Sequence, residues 1–218
     1  MSATTEPVQF FTARARTYSR FIRLVRYQQG LRACFEMSPL LRSGIRVLDA
    51  GCGTGAVLLA LHETMLARGL DPGSLHGFDL TPAMLDRLYA SLQARGIDGV
   101  ELVQADVLKL DALPAAWNNY DLIVSASMLE YVPREQFVAA LSGLRELLSE
   151  SGSLCLFMTR DNWFMRQLIG RWWRSNLYTA QELKDAFAAA GFSAIAFRTF
   201  PPRYRYLDTW GHIVEARR

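Results

Sequence analysis

The stretch Val47-Leu-Asp-Ala-Gly-Cys-Gly-Thr-Gly55 decides the fold of this 218-residue chain. It grows out of Ile45–Ala50, a short apolar run, and leads into Ala56–Ala67, which is apolar and helical. Glycines at alternate positions let the backbone turn sharply and approach a ligand closely where a helix begins and its amides are free. A strand, a glycine loop and a helix in that order open an α/β unit.

Outward from the loop, the pattern repeats. Gly69 and Pro72-Gly73 end the first helix. Leu75–Asp79 predicts a second strand, and Thr81 predicts a cap for a helix over Pro82–Arg95, with Asp86 in its first turn. Val100–Ala105 and Tyr120–Ser125 read as strands, Pro133–Leu148 as a helix and Ser153–Met158 as a fifth strand. Thr179 and Glu182 form a capping box for a helix that Gly191 ends. Phe192–Phe200 and Thr209–Ala216 then follow as strands with no helix between them, so they pair as an antiparallel hairpin at the sheet edge. The rest implies right-handed βαβ units, a mainly parallel sheet and a ligand beyond the strand C-termini. Upstream, the period is helical from Thr12 to about Phe35, with Tyr18, Phe21, Ile22 and Val25 opposite Arg16, Arg20 and Arg23.

Composition narrows the class. With 50% hydrophobic and 11% aromatic residues, disorder is excluded as the dominant state, and the length suits one domain. No apolar run reaches the roughly 18–20 residues of a membrane span, and the N-terminus lacks a signal-peptide pattern. Cys34, Cys52 and Cys155 are odd in number and far apart, which predicts neither a disulfide framework nor a zinc site, and a cytoplasmic protein. The net charge of +3 is unevenly spread: residues 1–44 hold seven Arg against Glu6 and Glu36, a local +5. Residues 160–178 hold four Arg against Asp161, a local +3, which leaves −5 for the remainder.

The glycines alone leave two ligands open, because Gly51-x-Gly53-x-x-Ala56 also satisfies the loose dinucleotide fingerprint. Asp49 argues against a dinucleotide: its carboxylate would repel a pyrophosphate on the same loop. It suits an ammonium, such as the methionine end of S-adenosyl-L-methionine. Asp49-Ala-Gly-Cys-Gly-Thr-Gly55 resembles the first motif of the class I S-adenosylmethionine-dependent methyltransferases, and the resemblance covers about residues 45–218.

That resemblance implies a Rossmann-like, doubly wound α/β fold: a seven-stranded sheet, mostly parallel, with an antiparallel C-terminal hairpin strand. It implies an N-terminal helical lid over residues 1–44 and a methyltransferase domain over 45–218 with a lid insertion at about 160–178. Cofactor contacts are expected from Tyr18, Asp49, Gly51, Cys52, Gly53, Gly55 and Ser125. Asp79 is expected on both ribose hydroxyls, Leu80 beside the adenine, Asp106 near its amino group and the Val107 amide at the ring edge. Cys52 reads equally as a small residue in a tight turn.

Methyl transfer from a sulfonium is an in-line displacement that asks mainly for alignment and exclusion of water. No metal is expected, and His62, His76 and His212 are dispersed and read as structural. The catalytic candidates are Glu130 and Tyr131, after the fourth strand; Glu130 could take a proton or orient an amine or hydroxyl, or simply cap or pair. Many family members carry a histidine near that position, and this chain does not. The two arginine-rich stretches and Trp163, Trp172 and Trp173 are expected over a small acceptor, partly apolar or aromatic and suited to an anionic group. The expected product is S-adenosyl-L-homocysteine. Rival readings are a lipid or membrane-surface methyltransferase in peripheral contact with a bilayer, and a cofactor-binding protein with non-methyl chemistry. No nucleic-acid partner is expected, and the chain is read as a monomer or homodimer.

Overall fold

In the computed structural model, which describes residues 25–163 and 175–218, seven strands form one sheet. They are β1 (Arg46–Ala50), β2 (Ser74–Asp79), β3 (Val100–Gln104), β4 (Tyr120–Ala126), β5 (Leu148–Thr159), β6 (Ser193–Arg198) and β7 (Gly211–Arg217). Their order is β3-β2-β1-β4-β5-β7-β6. The first five run parallel, and β7 lies antiparallel to both β5 and β6. The order reverses between β1 and β4, where Val47 pairs with Leu122 and Asp49 with Val124. A crevice therefore opens beyond the ends of those two strands.

The central strands are mostly apolar and buried because both faces are covered. Helices α1 (Tyr27–Glu36), α2 (Ala56–Ala67) and α3 (Pro82–Ala94) cover one face, and Leu31, Leu58, Leu61, Leu88 and Leu122 fill the core beneath them. Helices α4 (Phe137–Leu147) and α5 (Ala180–Ala189) cover the other, over Leu48, Ile123, Leu141, Leu183 and Phe187. Helix α2 is buried on nearly all sides, being sandwiched by its neighbours, and so shows little amphipathic contrast. No described helix is long and apolar enough to cross a membrane.

Several boundaries differ from the sequence reading. Among the described residues the first helix, α1, begins at Tyr27, after Arg26 in a left-handed conformation at φ 53°; the part of the expected helical run before residue 25 lies outside the described residues. Thr81 precedes α3 without a side-chain cap, and Asp86 lies beyond the first turn. The segment after Pro133 makes a 3-10 turn, Arg134–Gln136, before α4, and β5 starts as early as Leu148. The capping box of α5 is formed as expected: the Glu182 amide donates to Thr179 Oγ1 at 3.2 Å, and the Thr179 amide to Glu182 Oε2 at 2.7 Å.

Candidate active site

The glycine loop hangs from the end of β2. The amides of Gly51 and Cys52 both donate to the Phe78 carbonyl at 2.9 Å, and the Gly55 amide closes the turn on the Cys52 carbonyl at 2.8 Å. Three glycines supply left-handed angles that other residues resist, with φ 79°, 51° and 90° at Gly51, Gly53 and Gly55. At Gly51 a Cβ would lie 2.3 Å from Met128 Cγ, and at Gly55 2.3 Å from Leu88 Cδ1. At Gly53 it would meet nothing within 4 Å. Two glycines are thus demanded by packing, and the middle one keeps space open. Helix α2 starts at Gly55 without a side-chain cap, which leaves first-turn amides for a ligand.

Against this loop lies a cavity of about 500 Å³. Gly51, Cys52, Gly53, Asp79, Leu80, Asp106, Val107 and Tyr131 all line it. Asp79 is fixed by two amides, Gly53 to Oδ2 at 2.9 Å and Thr81 to Oδ1 at 2.8 Å. Burial raises its pKa, and those same hydrogen bonds oppose the rise. Leu80 is held through its carbonyl by Gln104 Nε2 at 3.2 Å, and Asp106 Oδ1 accepts from the Leu108 amide at 3.0 Å. Cys52 is buried, and burial first, then the charges of Asp49 and Asp79, push its thiol well up. An uncharged thiol packed against Gly77 is a filler, not a nucleophile.

Asp49 sits under the loop at 1% exposure, outside the cavity lining, with no hydrogen-bond partner on either carboxylate oxygen. Burial and then the Asp79 charge raise its pKa well above the ordinary range, and the Leu58 amide at the head of α2 opposes them in part. A buried carboxylate that meets one amide and no cation among the described residues fits a ligand that brings its own ammonium. The residues present therefore suit S-adenosylmethionine and not a pyrophosphate.

Other expected contacts do not reach the cavity. Ser125 is fully buried and donates to the Ala50 carbonyl at 2.9 Å, tying β4 to β1 at the switch point. Gly55 faces Leu88, and Tyr18 lies outside the described residues. Glu130 is 3% exposed and turned away, in correction of its reading as a catalytic group. Its Oε2 accepts from the Thr159 amide at 2.8 Å and its Oε1 from Thr159 Oγ1 at 3.1 Å. Its own carbonyl accepts from the Asn176 amide at 2.8 Å. Glu130 thus clamps the turn after β4 to the end of β5. Glu130→Gln should cost about 1 kcal/mol in chemical denaturation, because the amide can still accept from the Thr159 amide and donate to Thr159 Oγ1 but gives up the bonds to a carboxylate. Homocysteine-product binding by calorimetry should stay within about twofold; a large loss would return Glu130 to the site.

Some lining residues carry no sequence signal of their own. Ser127 and Met128 turn over the loop, with Ser127 at φ 54°, and Tyr27, Gln28 and Gln29 bring the first turn of α1 to the rim. Of the tryptophans expected over the acceptor, Trp163 is 76% exposed, and Trp172 and Trp173 lie outside the described residues. The histidines stay apart from the cavity lining: His76 stacks on Trp117 with centroids 4.5 Å apart and bonds Tyr120 Oη at 2.7 Å. Among the described residues, no three His, Cys, Asp or Glu side chains gather as a metal site.

Comparison with known proteins agrees with this geometry. Residues 47–152 match the family model of a methyltransferase domain. The aklanonic acid methyltransferase DauC of a Streptomyces species is 29% identical over 112 residues, 51% of this chain and 47% of that protein. The ubiquinone biosynthesis O-methyltransferase of Cereibacter sphaeroides is 30% identical over 173 residues, 72% of this chain and 64% of that protein. The chain thus spans about half the length of the first of these relatives and under two thirds of the second. The magnesium protoporphyrin IX methyltransferase of Synechocystis, solved with bound S-adenosylhomocysteine, superposes with a TM-score of 0.71 at 20% identity, covering 98% of this chain and 99% of that one. The seven-stranded sheet with one antiparallel strand is thus a Rossmann-like α/β fold shared with that methyltransferase, and residues 47–152, with the Asp49–Gly55 loop at their head, are similar to a methyltransferase domain.

Proposed function

We propose that this protein transfers the methyl group of S-adenosylmethionine to an oxygen or nitrogen of a small acceptor and releases S-adenosylhomocysteine. The observation that carries the reading is the glycine-loop cavity, in which Gly53, Asp79, Asp106 and Val107 come together above the buried Asp49 carboxylate. Bound there, the cofactor supplies an electrophilic methyl group on a sulfonium. Asp49 and the free amides of α2 hold the amino-acid end, and Asp79 holds the ribose hydroxyls. Asp106 and Val107 meet the adenine. Tyr131, in the cavity wall, is the remaining candidate to orient the acceptor atom. With a cationic leaving group, alignment is the main demand on the chain.

The relatives' names support a small acceptor: one acts on an acid, another serves ubiquinone biosynthesis. Incubating the protein with methyl-labelled cofactor and a metabolite extract should yield a labelled product together with S-adenosylhomocysteine. Loss of the sulfonium without labelled acceptor would instead indicate chemistry on the cofactor itself. Failure to bind either form of the cofactor would overturn the reading.

Asp49 gives this reading a pH signature. Its pKa is raised by burial, so its contribution to stability is present below the unfolded value of about 3.9 and is lost as pH rises through the raised folded value. An ammonium partner favours the carboxylate, so binding of S-adenosylhomocysteine should release a proton and weaken as pH falls through that raised value. Asp49→Asn should lose about 10–100-fold in affinity, the worth of a charge-assisted bond, and flatten the pH profile. Calorimetry in buffers of different ionisation enthalpy measures both, and an unchanged proton release in the variant would remove Asp49 from the site.

A further inference from the structure

Left-handed backbone is sparsely populated outside glycine, and residues held there cluster at functional sites. Among the described residues, four that are not glycine adopt it: Arg26, Asn119, Ser127 and Ala194. Arg26 stands just ahead of α1, Asn119 is of a type that tolerates the conformation, and Ala194 lies where the β6–β7 register shifts. Ser127, at φ 54°, is the one of the four that lines the cofactor cavity.

The strain at Ser127 is held from several sides. Its amide donates to the Phe157 carbonyl on β5 at 2.9 Å, and the Tyr131 amide closes the next turn on the Met128 carbonyl at 3.0 Å. Within that turn the Glu130 carboxylate is bonded to Thr159, and the Glu130 carbonyl accepts from the Asn176 amide. Asn176 Nδ2 also donates to the Val132 carbonyl at 2.8 Å. Residues 127–132 are thereby pinned both to β5 and to the segment before α5. Turning the chain at Ser127 brings Met128 over Gly51, where an added Cβ would lie 2.3 Å from Met128 Cγ. The two serines at this strand end consequently differ. Ser125 donates its hydroxyl to the Ala50 carbonyl, whereas the partly buried Ser127 hydroxyl has no hydrogen-bond partner among the described residues.

Charge is divided across the cavity. Its charged lining among the described residues, Asp79, Arg87, Arg95 and Asp106, comes from the β2–β3 side of the crevice. The β4 side presents Ser127, Met128, Tyr131, Val132 and Gln136, which are hydroxyl and amide groups on an apolar ground. A charged group set against that wall would lose water without gaining a counter-charge from it. We infer that the Ser127 hydroxyl binds an uncharged hydroxyl of the methyl acceptor, and that the acceptor is a phenol or alcohol on an apolar skeleton. A serine hydroxyl both donates and accepts, so it pairs with another hydroxyl in either direction. The pinned turn fixes its position before the ligand arrives, which lowers the ordering cost of binding. The inference rests on the methyltransferase reading and deepens it by giving the acceptor class.

The test uses the full chain saturated with S-adenosylhomocysteine and labelled on the methyl groups of its seven methionines. Phenol and cyclohexanol serve as uncharged probes near neutral pH, and benzoate as the charged one. An uncharged probe should shift one methyl resonance saturably, and Met128→Leu should identify it by its disappearance. Ser127→Ala and Ser127→Gly should both weaken that titration about 3–10-fold, the loss of one hydrogen bond. Their thermal midpoints should differ: glycine takes the left-handed angle without strain, so its variant should melt at or above the parent, and the alanine variant should not exceed it. A merely structural serine predicts unchanged titrations in the stable glycine variant. That result, a Met128 resonance silent to both uncharged probes, or tighter binding of benzoate than of phenol would overturn the inference. Calorimetry on the same samples separates the two levels: without S-adenosylhomocysteine binding the methyltransferase reading itself fails, and with it a silent Met128 resonance sinks the Ser127 assignment alone.

Discussion

Asp79→Ala is expected to weaken S-adenosylhomocysteine binding by about 100-fold or more while leaving the protein folded. The carboxylate is held between the amides of Gly53 and Thr81, at 2.9 Å and 2.8 Å, so it joins the glycine loop to the start of α3. Each oxygen keeps a lone pair for a ribose hydroxyl. Two charge-assisted bonds at about 1.5–3 kcal/mol each give the expected loss. Stability should change less, because burial raises the Asp79 pKa and its removal also relieves a partly desolvated charge. Calorimetry and a thermal melt on the same sample separate these effects. An alanine variant that still binds within about tenfold would place the ribose elsewhere.

Gly51→Ala and Gly53→Ala should fail in different ways, although the two positions are only two residues apart. At Gly51 the new methyl meets Met128 Cγ at 2.3 Å and Cβ at 2.4 Å, and φ is 79°. The contact includes the root of the methionine side chain, so the turn carrying Met128 must move. Overpacking of about 1–3 kcal/mol adds to left-handed strain of about 1–2 kcal/mol, and the variant should be about 2–5 kcal/mol less stable. Met128→Ala in the same chain should recover only part of that loss, because its Cβ, 2.4 Å from the new methyl, stays along with the backbone strain. Gly53→Ala carries the strain alone, since nothing lies within 4 Å of its Cβ position. It should fold nearly normally and lose cofactor affinity at least about tenfold, its methyl taking space that the ligand needs. Equal stability loss in both variants would contradict this division.

The cofactor half was legible because its determinants are local. A carboxylate at a strand end and alternating glycines act within a few residues of one another, and their consequences follow from backbone conformation and charge. The acceptor half depends on partners distant in sequence. Glu130 reads as a site residue by position, but Thr159, 29 residues later, decides that it faces the sheet. Ser125 likewise stands at the right strand end, and a carbonyl 75 residues earlier claims its hydroxyl. Left-handed turns at Arg26 and Ser127 leave no mark, because neither residue type announces that conformation. The hairpin was readable from a missing crossover helix, but the insertion of β7 between β5 and β6 was not.

That insertion orders events in time. The last of the seven strands in chain order, Gly211–Arg217, is the plank that joins β6 to the rest of the sheet, with β5 bonded along one side and β6 along the other. During synthesis, β1 to β5 can assemble as a parallel sheet with an unsatisfied edge at β5, while β6 emerges with nowhere to dock. Both edges stay open until the final strand slides between them, and His212 enters its buried position only at that step. Cooperative completion of this sheet therefore waits on β7.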